Sequence, residues 1–349
     1  MKNKETILFV APKMNNFIIN DLKILSKEYV VIKNCYNYDK KYFTPVYIAH
    51  QFIFLLFKIN SIDKIIIQFA GYWSILPTLF SKFFNKKSII ISHGTDCASI
   101  PSLNYGNLRK RILNKICLVS YNSCDLICPV SNSLIKIENK FYKNKQEYNQ
   151  GILSFYPNLK TDFKVIHNGL DIDFWYIEKY NKKSNSFLAV FSKKQYYLKG
   201  GDLILKIAER FNHCTFEIVG LHKPKHIKKL PNNLKFEGHI NMQKLREKYN
   251  KFEYFFQLSS FEGFGLSLCE AMLGLCIPIG SSVNMIPEII GENGYILQQK
   301  NEEKLIKMIE GALNIKNKKL MAEKARNSIK LRYNLKTREV NLLKTISKL

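Results

Sequence analysis

The segment SSFEGFGLSLCEAMLGLCIPIGS, residues 259–281, holds the residue types best suited to chemistry. Gly263, Gly265 and Gly274 fall where a strand would turn into a helix and that helix back into a strand. A glycine-containing turn at a helix start aims backbone N–H groups and the positive end of the helix at an anion, which suits a phosphate. Glu262 lies on the turn, and Glu270 about one turn into the helix that Gly274 ends. A carboxylate repels phosphate but accepts strong hydrogen bonds from neutral hydroxyls, so the combination suits a nucleotide sugar. Taken singly, Glu262 reads equally as a solvated turn residue and Glu270 as a surface helix residue.

Two further places carry candidate groups. Lys199 stands before a Gly-Gly helix start in LKGGDLIL, where it can put a point charge on a leaving phosphate; read alone it is one lysine among many. The segment ISHGTD sets His93 and Asp96 directly after an apolar run, the end of the strand at which open α/β sheets bind ligands. Asp171-Ile-Asp173 spells the DxD pair that elsewhere holds a divalent ion on a diphosphate, but inside NGLDIDFW it reads as a turn. The loop APKMNNF after the first apolar run makes Lys13 to Asn16 candidates by location only.

These groups need a scaffold. A length of 349 residues suggests about two domains of ordinary size. With 46% hydrophobic residues, 16 Gly and 10 Pro, disorder, collagen and disulfide miniproteins are excluded. Short apolar runs, ILFV (7–10), KIIIQF (64–69), SIIIS (88–92), DLICPVS (125–131) and FKVIH (163–167), alternate with amphipathic stretches, the pattern of a parallel sheet covered on both faces. After the polar stretch NKKSNS (181–186) the rhythm restarts with FLAVFS (187–192), TFEIVG (215–220), LKFEGHI (234–240), YFFQLS (254–259) and CIPIGSS (276–282). The sequence therefore predicts two βα domains joined near residues 176–186, followed by a helical tail from Asn301 to Leu349.

The net charge is 54 − 28 = +26, which favours nucleotides, nucleic acid or an anionic membrane surface as partners, or reflects a lysine-rich coding bias. No concentrated basic helix or nucleic-acid module is present, so no nucleic-acid partner is expected. No GxGxxG follows the first strand, which argues against a dehydrogenase. The eight cysteines form no CxxC pair, and a reduced, cytoplasmic protein is expected. The N-terminal apolar run is too short for a secretory leader, and FIFLLF (Phe52–Phe57) falls far short of the ~20 residues of a spanning helix.

Taken together, the two glutamates of FEGFGLSLCEAM, the following IPEIIGENG, and VIHNGLDIDFW, LKGGDLIL and DLICPVSNSL resemble, in order, the glycosyltransferase group 1 family over roughly residues 88–300. That resemblance implies the α/β GT-B fold, two Rossmann-like βα domains facing across a cleft with C-terminal helices crossing back to the first. It places an acceptor-side domain at 1–178, a nucleotide-sugar domain at 186–330, and a helix packing back on the first domain at 331–349. It implies a retaining hexosyl transfer from a UDP- or GDP-sugar to a saccharide or lipid-linked acceptor, with no metal and no other cofactor. Glu270 would bind ribose hydroxyls and Glu262 sugar hydroxyls, while the backbone of Gly263, Phe264, Gly265 and Leu266 approaches the sugar and diphosphate. Lys199 matches the diphosphate-binding lysine; Lys193, or else Lys194, takes the place where the family usually has an arginine, keeping the charge but losing the bidentate fork. His93 would orient the reacting centre, and Asp96 joins the substrate-binding set. An inner-membrane surface location fits the basic charge; a non-catalytic scaffold of the same fold, a basic nucleic-acid-binding protein and a phosphorylase are the rival readings.

Overall fold

Strands made of β-branched and aromatic residues, buried on both faces, form the two sheets that the sequence rhythm predicts. The computed structural model describes residues 4–142 and 144–349, so the first three residues of the predicted first domain lie outside the described residues. The chain divides into two compact units, Met1–Glu138 with Asn149–Gly169 and Lys336–Leu349, and Asn139–Tyr148 with Leu170–Leu335.

The first unit contains β1 (Thr6–Ala11), β2 (Val30–Cys35), β3 (Lys64–Gln68), β4 (Lys87–Ser92), β5 (Leu126–Pro129), a short antiparallel ribbon β6 (Ile137–Glu138) and β7 (Asn149–Gln150), and β8 (Asp162–Phe163). Six of these form a parallel sheet in the order β2-β1-β3-β4-β5-β8. The second unit contains β9 (Lys183–Val190), β10 (Thr215–Val219), β11 (Leu234–Glu237), β12 (Phe252–Gln257), β13 (Ile277–Ser281) and β14 (Tyr295–Leu297), in the parallel order β11-β10-β9-β12-β13-β14. Strand order reverses between β1 and β3 in one sheet and between β9 and β12 in the other. At such a reversal the loops leaving the carboxyl ends diverge and open a crevice, the usual ligand position of doubly wound folds.

Three local expectations are corrected. The edge strand β2 was not anticipated, because VVIKNC is only half buried and lacks the continuous apolar run of the central strands. FKVIH forms only a two-residue strand by regular pairing, although Lys164 and Ile166 still donate backbone hydrogen bonds to the carbonyls of Ile127 and Pro129. Its partner ends in Pro129, which has no N–H to return. NKKSNS is not a free linker. Lys183 to Ser186 begin β9, and the Lys182 ammonium donates to the carbonyls of Tyr249 (2.5 Å) and Gly274 (2.6 Å). Burial lowers the pKa of Lys182, against smaller raising effects from the neighbouring Cys276 and Glu253. The tail is three helices, Glu302–Asn314, Lys318–Arg332 and Leu335–Ile346.

Candidate active site

In the second unit, the loops after β9 and β12 meet at the strand-order reversal. The backbone N–H of Ser260 donates to the Leu198 carbonyl at 2.7 Å, locking the two loops together. Gly200 makes this approach possible: its φ is +74°, and a Cβ there would lie 2.7 Å from the Leu258 carbonyl oxygen. The helix Gly201–Arg210 follows it, so Lys199 is held at that helix start.

Lys199 and Glu262 form an ion pair, with side chains 12% and 14% exposed. The same carboxylate oxygen, Oε2, accepts from Gln257 Nε2 at 2.5 Å and from Ser259 Oγ at 3.4 Å. The Glu262 backbone N–H donates to Asn284 Oδ1 at 3.1 Å, and Asn139 Nδ2 donates to the same oxygen at 3.1 Å. Asn284 has φ +48°, a left-handed conformation that asparagine tolerates better than most residues. Glu262 is thus fixed through one oxygen and its own backbone, and Oε1 has no hydrogen bond to any described residue. That leaves a pre-aimed acceptor with a cation beside it.

Gly265, with φ +115°, ends the turn and starts the helix Leu266–Leu273. Gly263, Phe264 and Leu266 lie on this turn and first helical position as the sequence predicted. Glu270, half-buried on that helix, accepts from the Tyr249 hydroxyl at 3.2 Å. Loss of water around its carboxyl raises its pKa to about 7, against a smaller lowering by the Tyr249 hydrogen bond. Its charge therefore changes across neutral pH. Lys193 and Lys194 are exposed on the short turn Lys193–Gln195, which Ser192 and Gln195 cap reciprocally. Asp171 accepts from the Phe174 N–H at 3.1 Å and caps the turn Ile172–Trp175, the geometry expected of a turn residue.

In the first unit, His93 leaves β4 with its ring packed against those of Phe17 and Phe69, at centroid distances of 4.8 and 4.5 Å. Phe69 has φ +62°, an uncommon conformation for a bulky residue, at the end of β3 beside the strand-order reversal. His93 Nε2 is 2.7 Å from Gln68 Oε1, and Gln68 Nε2 donates to Asp21 Oδ2 at 2.9 Å. Asp21 is fully buried and accepts two 2.6 Å hydrogen bonds from Arg338, on the helix Leu335–Ile346. A carboxylate only accepts, so Gln68 must turn its NH₂ to Asp21 and its oxygen to His93. His93 is therefore the Nε2–H tautomer, and its buried Nδ1 lone pair has no partner among the described residues. Burial, with the Arg338 charge adding to it, holds its pKa well below that of a free histidine and keeps the ring neutral.

Asp96 is fully buried. One oxygen accepts from the backbone of His93 (3.2 Å) and Gly94 (3.0 Å), the other from Ala70 N–H and the Tyr121 hydroxyl, both 3.1 Å. It ties the loops after β3 and β4 together and thereby sets the backbone of His93. Sequence reasoning did not single out Gln257, Ser259, Asn284 and Tyr249, nor the chain Arg338–Asp21–Gln68. Only tertiary contact reveals them, since 317 residues separate Asp21 from Arg338.

Residues 175–330 match the family model described as glycosyl transferases group 1. Among solved structures, HepE of Anabaena in complex with UDP and glucose is similar at TM-score 0.72 and 15% identity, covering 99% of this chain and 100% of that one. Sucrose-phosphate synthase of Thermosynechococcus elongatus is similar at TM-score 0.77 and 12% identity, over 99% of both chains. WaaG, a glycosyltransferase involved in lipopolysaccharide biosynthesis, is similar at TM-score 0.67 and 15% identity, over 96% of this chain and 98% of that one. No curated protein matches the chain by sequence. The two six-stranded parallel sheets are thus those of the GT-B fold, and residues 175–330 belong to the glycosyl transferases group 1 family.

Proposed function

We propose that the protein is a retaining glycosyltransferase that moves a hexosyl group from a UDP- or GDP-sugar to a hydroxyl of a saccharide or lipid-linked saccharide, in the building of a cell-surface polysaccharide or glycolipid. The observation that carries this reading is Glu262, anchored through Oε2 beside Lys199 at the β9–β12 reversal, with Glu270 on the helix that begins three residues after Gly263. HepE was crystallised with UDP-glucose, which favours uridine as the donor base.

In this reading Glu270 accepts the ribose hydroxyls and Glu262 Oε1 a sugar hydroxyl. The Lys199 ammonium has three donors, so it can hold Glu262 and also meet the diphosphate. Lys199, Lys193 and the N–H groups opening the helix Leu266–Leu273 then stabilise charge developing on the leaving phosphate. In this reading Glu262 commits Oε2 to Lys199 and Gln257 and Oε1 to a sugar hydroxyl, which disfavours it as a covalent nucleophile and supports a front-face displacement in which the leaving diphosphate receives the acceptor proton. His93, neutral and fixed in tautomer, orients the reacting centre. The residues present supply the diphosphate's counter-charge from lysine, so no metal is assigned. Among the described residues no helix is long and apolar enough to cross a membrane; we place the protein on the cytoplasmic face, bound peripherally.

The test is incubation with α-linked UDP- and GDP-sugars and an extract of lipid-linked saccharides, with the product's anomeric proton coupling read by NMR. An α-linked product is expected. A β-linked product contradicts retention, and no nucleotide release from any donor contradicts the transferase reading.

A further inference from the structure

The first unit contains a cavity of about 1090 Å³, slightly above the ~300–1,000 Å³ range of ligand clefts. Its walls are mainly apolar, including Ile48, Phe52, Phe69, Trp73, Leu76 and Leu113. Trp73 directs its indole N–H away into the carbonyls of Gln68 and Phe69, both at 2.9 Å, so its ring offers the cavity carbon alone. Tyr38, also in the wall, has a buried hydroxyl with no hydrogen-bond partner among the described residues, a donor or acceptor waiting for a polar atom. Lys13 and Lys110 stand in the lining with Asp39, to which Lys13 is paired at 2.8 Å. Phe69 and Thr95 also line it, and Phe69 is the residue whose ring packs on His93.

The cavity is continuous with an exposed apolar face. Phe52 and Ile112 belong to both: each lines the cavity, yet they are 43% and 70% exposed. From Phe52 ring contacts run through Phe80 and Phe84 to Phe83, which is 84% exposed on the helix Ile75–Phe83, and Phe57 is 81% exposed near the end of the helix Thr44–Lys58. Neither helix, nor the helix Arg111–Ser123, contains an acidic residue. Residues 40–124 hold 11 Lys and Arg against 2 acids, Asp63 and the fully buried Asp96. Lys64 and Lys87 are paired, with Glu5 and Asp125, and the stretch still carries an excess of positive charge around its apolar residues, which is complementary to an anionic lipid surface.

Resting on the transferase reading above, we propose that this cavity takes the apolar chain of an amphiphilic, phosphate-bearing acceptor drawn from the membrane. The chain lies along Phe52, Ile48 and Trp73; the phosphate meets Lys110 and Lys13; the hydroxyl to be glycosylated is directed toward Phe69 and His93. A purely polar saccharide acceptor would leave these walls wet and give no reason for Trp73 to bury its only polar atom elsewhere.

The chain has two tryptophans, Trp73 and Trp175, so Trp175→Phe leaves Trp73, in the cavity lining, as the sole tryptophan reporter. In that background dodecyl phosphate, kept below its micellar concentration, is expected to shift Trp73 emission saturably, while inorganic phosphate at equal concentration does not. Ile48→Glu, at a half-exposed position that tolerates a charge in the unliganded fold, is expected to weaken dodecyl phosphate binding at least tenfold. Phe57→Glu with Phe83→Glu is expected to abolish co-sedimentation with phosphatidylglycerol vesicles but leave soluble dodecyl phosphate binding unchanged. An equal response to inorganic phosphate, or undiminished dodecyl phosphate binding in Ile48→Glu, overturns the proposal. UDP binding, measured separately by calorimetry, separates the two readings. If UDP binds and dodecyl phosphate does not, the acceptor inference alone fails; if only dodecyl phosphate binds, the cavity stands and the transferase reading falls.

Discussion

Glu262→Ala is expected to lower sugar transfer by about 10²–10³-fold, the loss typical of one pre-aimed group in a low-dielectric site. UDP affinity should change only a few-fold, because the ribose contact is assigned to Glu270. The size of the effect follows from how little freedom the carboxylate has. Three donors, Lys199, Gln257 and Ser259, hold one oxygen, and Asn284 holds the residue's backbone. Glu262→Gln retains the shape but leaves the half-buried Lys199 without its counter-charge, and should lose activity comparably. Steady-state kinetics with the accepted donor measure both. A Glu262→Ala enzyme within threefold of wild type would remove Glu262 from the reaction.

The second large effect concerns stability. Arg338→Met should destabilise the protein by about 3–5 kcal/mol, because it leaves Asp21 a buried, unpaired charge. The pair is 2% and 0% exposed and doubly hydrogen bonded, so no water compensates the loss. Arg338 also donates to the carbonyls of Ile166 (3.1 Å) and His167 (2.8 Å), and these hydrogen bonds are lost as well. Asp21→Leu combined with Arg338→Met should recover much of that loss, since neither charge is then stranded, and denaturant unfolding of the single and double variants forms the cycle that measures it. The same chain reaches His93. Once Asp21 no longer orients Gln68, the imidazole is free to take the other tautomer, so the double variant should fold yet lose kcat with little change in donor KM. A mere packing role for Arg338 would leave kcat untouched.

How much was legible in the sequence depended on how local each signal was. Continuous apolar runs such as KIIIQF and SIIIS are buried on both faces of a parallel sheet, and composition alone marks them. The edge strand β2, half exposed, carries no such mark. The turn from Glu262 to Leu266 was legible because glycines constrain its backbone directly, and Gly265 takes the positive φ that the spacing suggests. Lys182 was read as linker because a lysine among Asn, Lys and Ser looks solvated; only the carbonyls at two distant segment ends show why it is not. His93 was found from its place after a strand, but its tautomer depends on Arg338, which no local pattern connects to it. Asp96 was grouped with the ligand contacts from that same place, whereas both its oxygens are engaged in holding backbone.

The most direct test of the donor site is calorimetric titration of UDP and GDP into the wild type and Glu270→Gln, at pH 6 and pH 8, at fixed moderate salt with no added metal. A charged carboxylate bonds hydroxyls more strongly than an amide by about 1–2 kcal/mol, so UDP should bind the wild type about 5–30-fold more tightly than the variant at pH 8. Because the Glu270 pKa lies at about 7, most of its charge is absent at pH 6, and the difference should narrow there while GDP binds the wild type more weakly throughout. Equal UDP affinities for the two proteins at pH 8, or no binding of either nucleotide, would contradict the assignment of this site to a nucleoside diphosphate sugar.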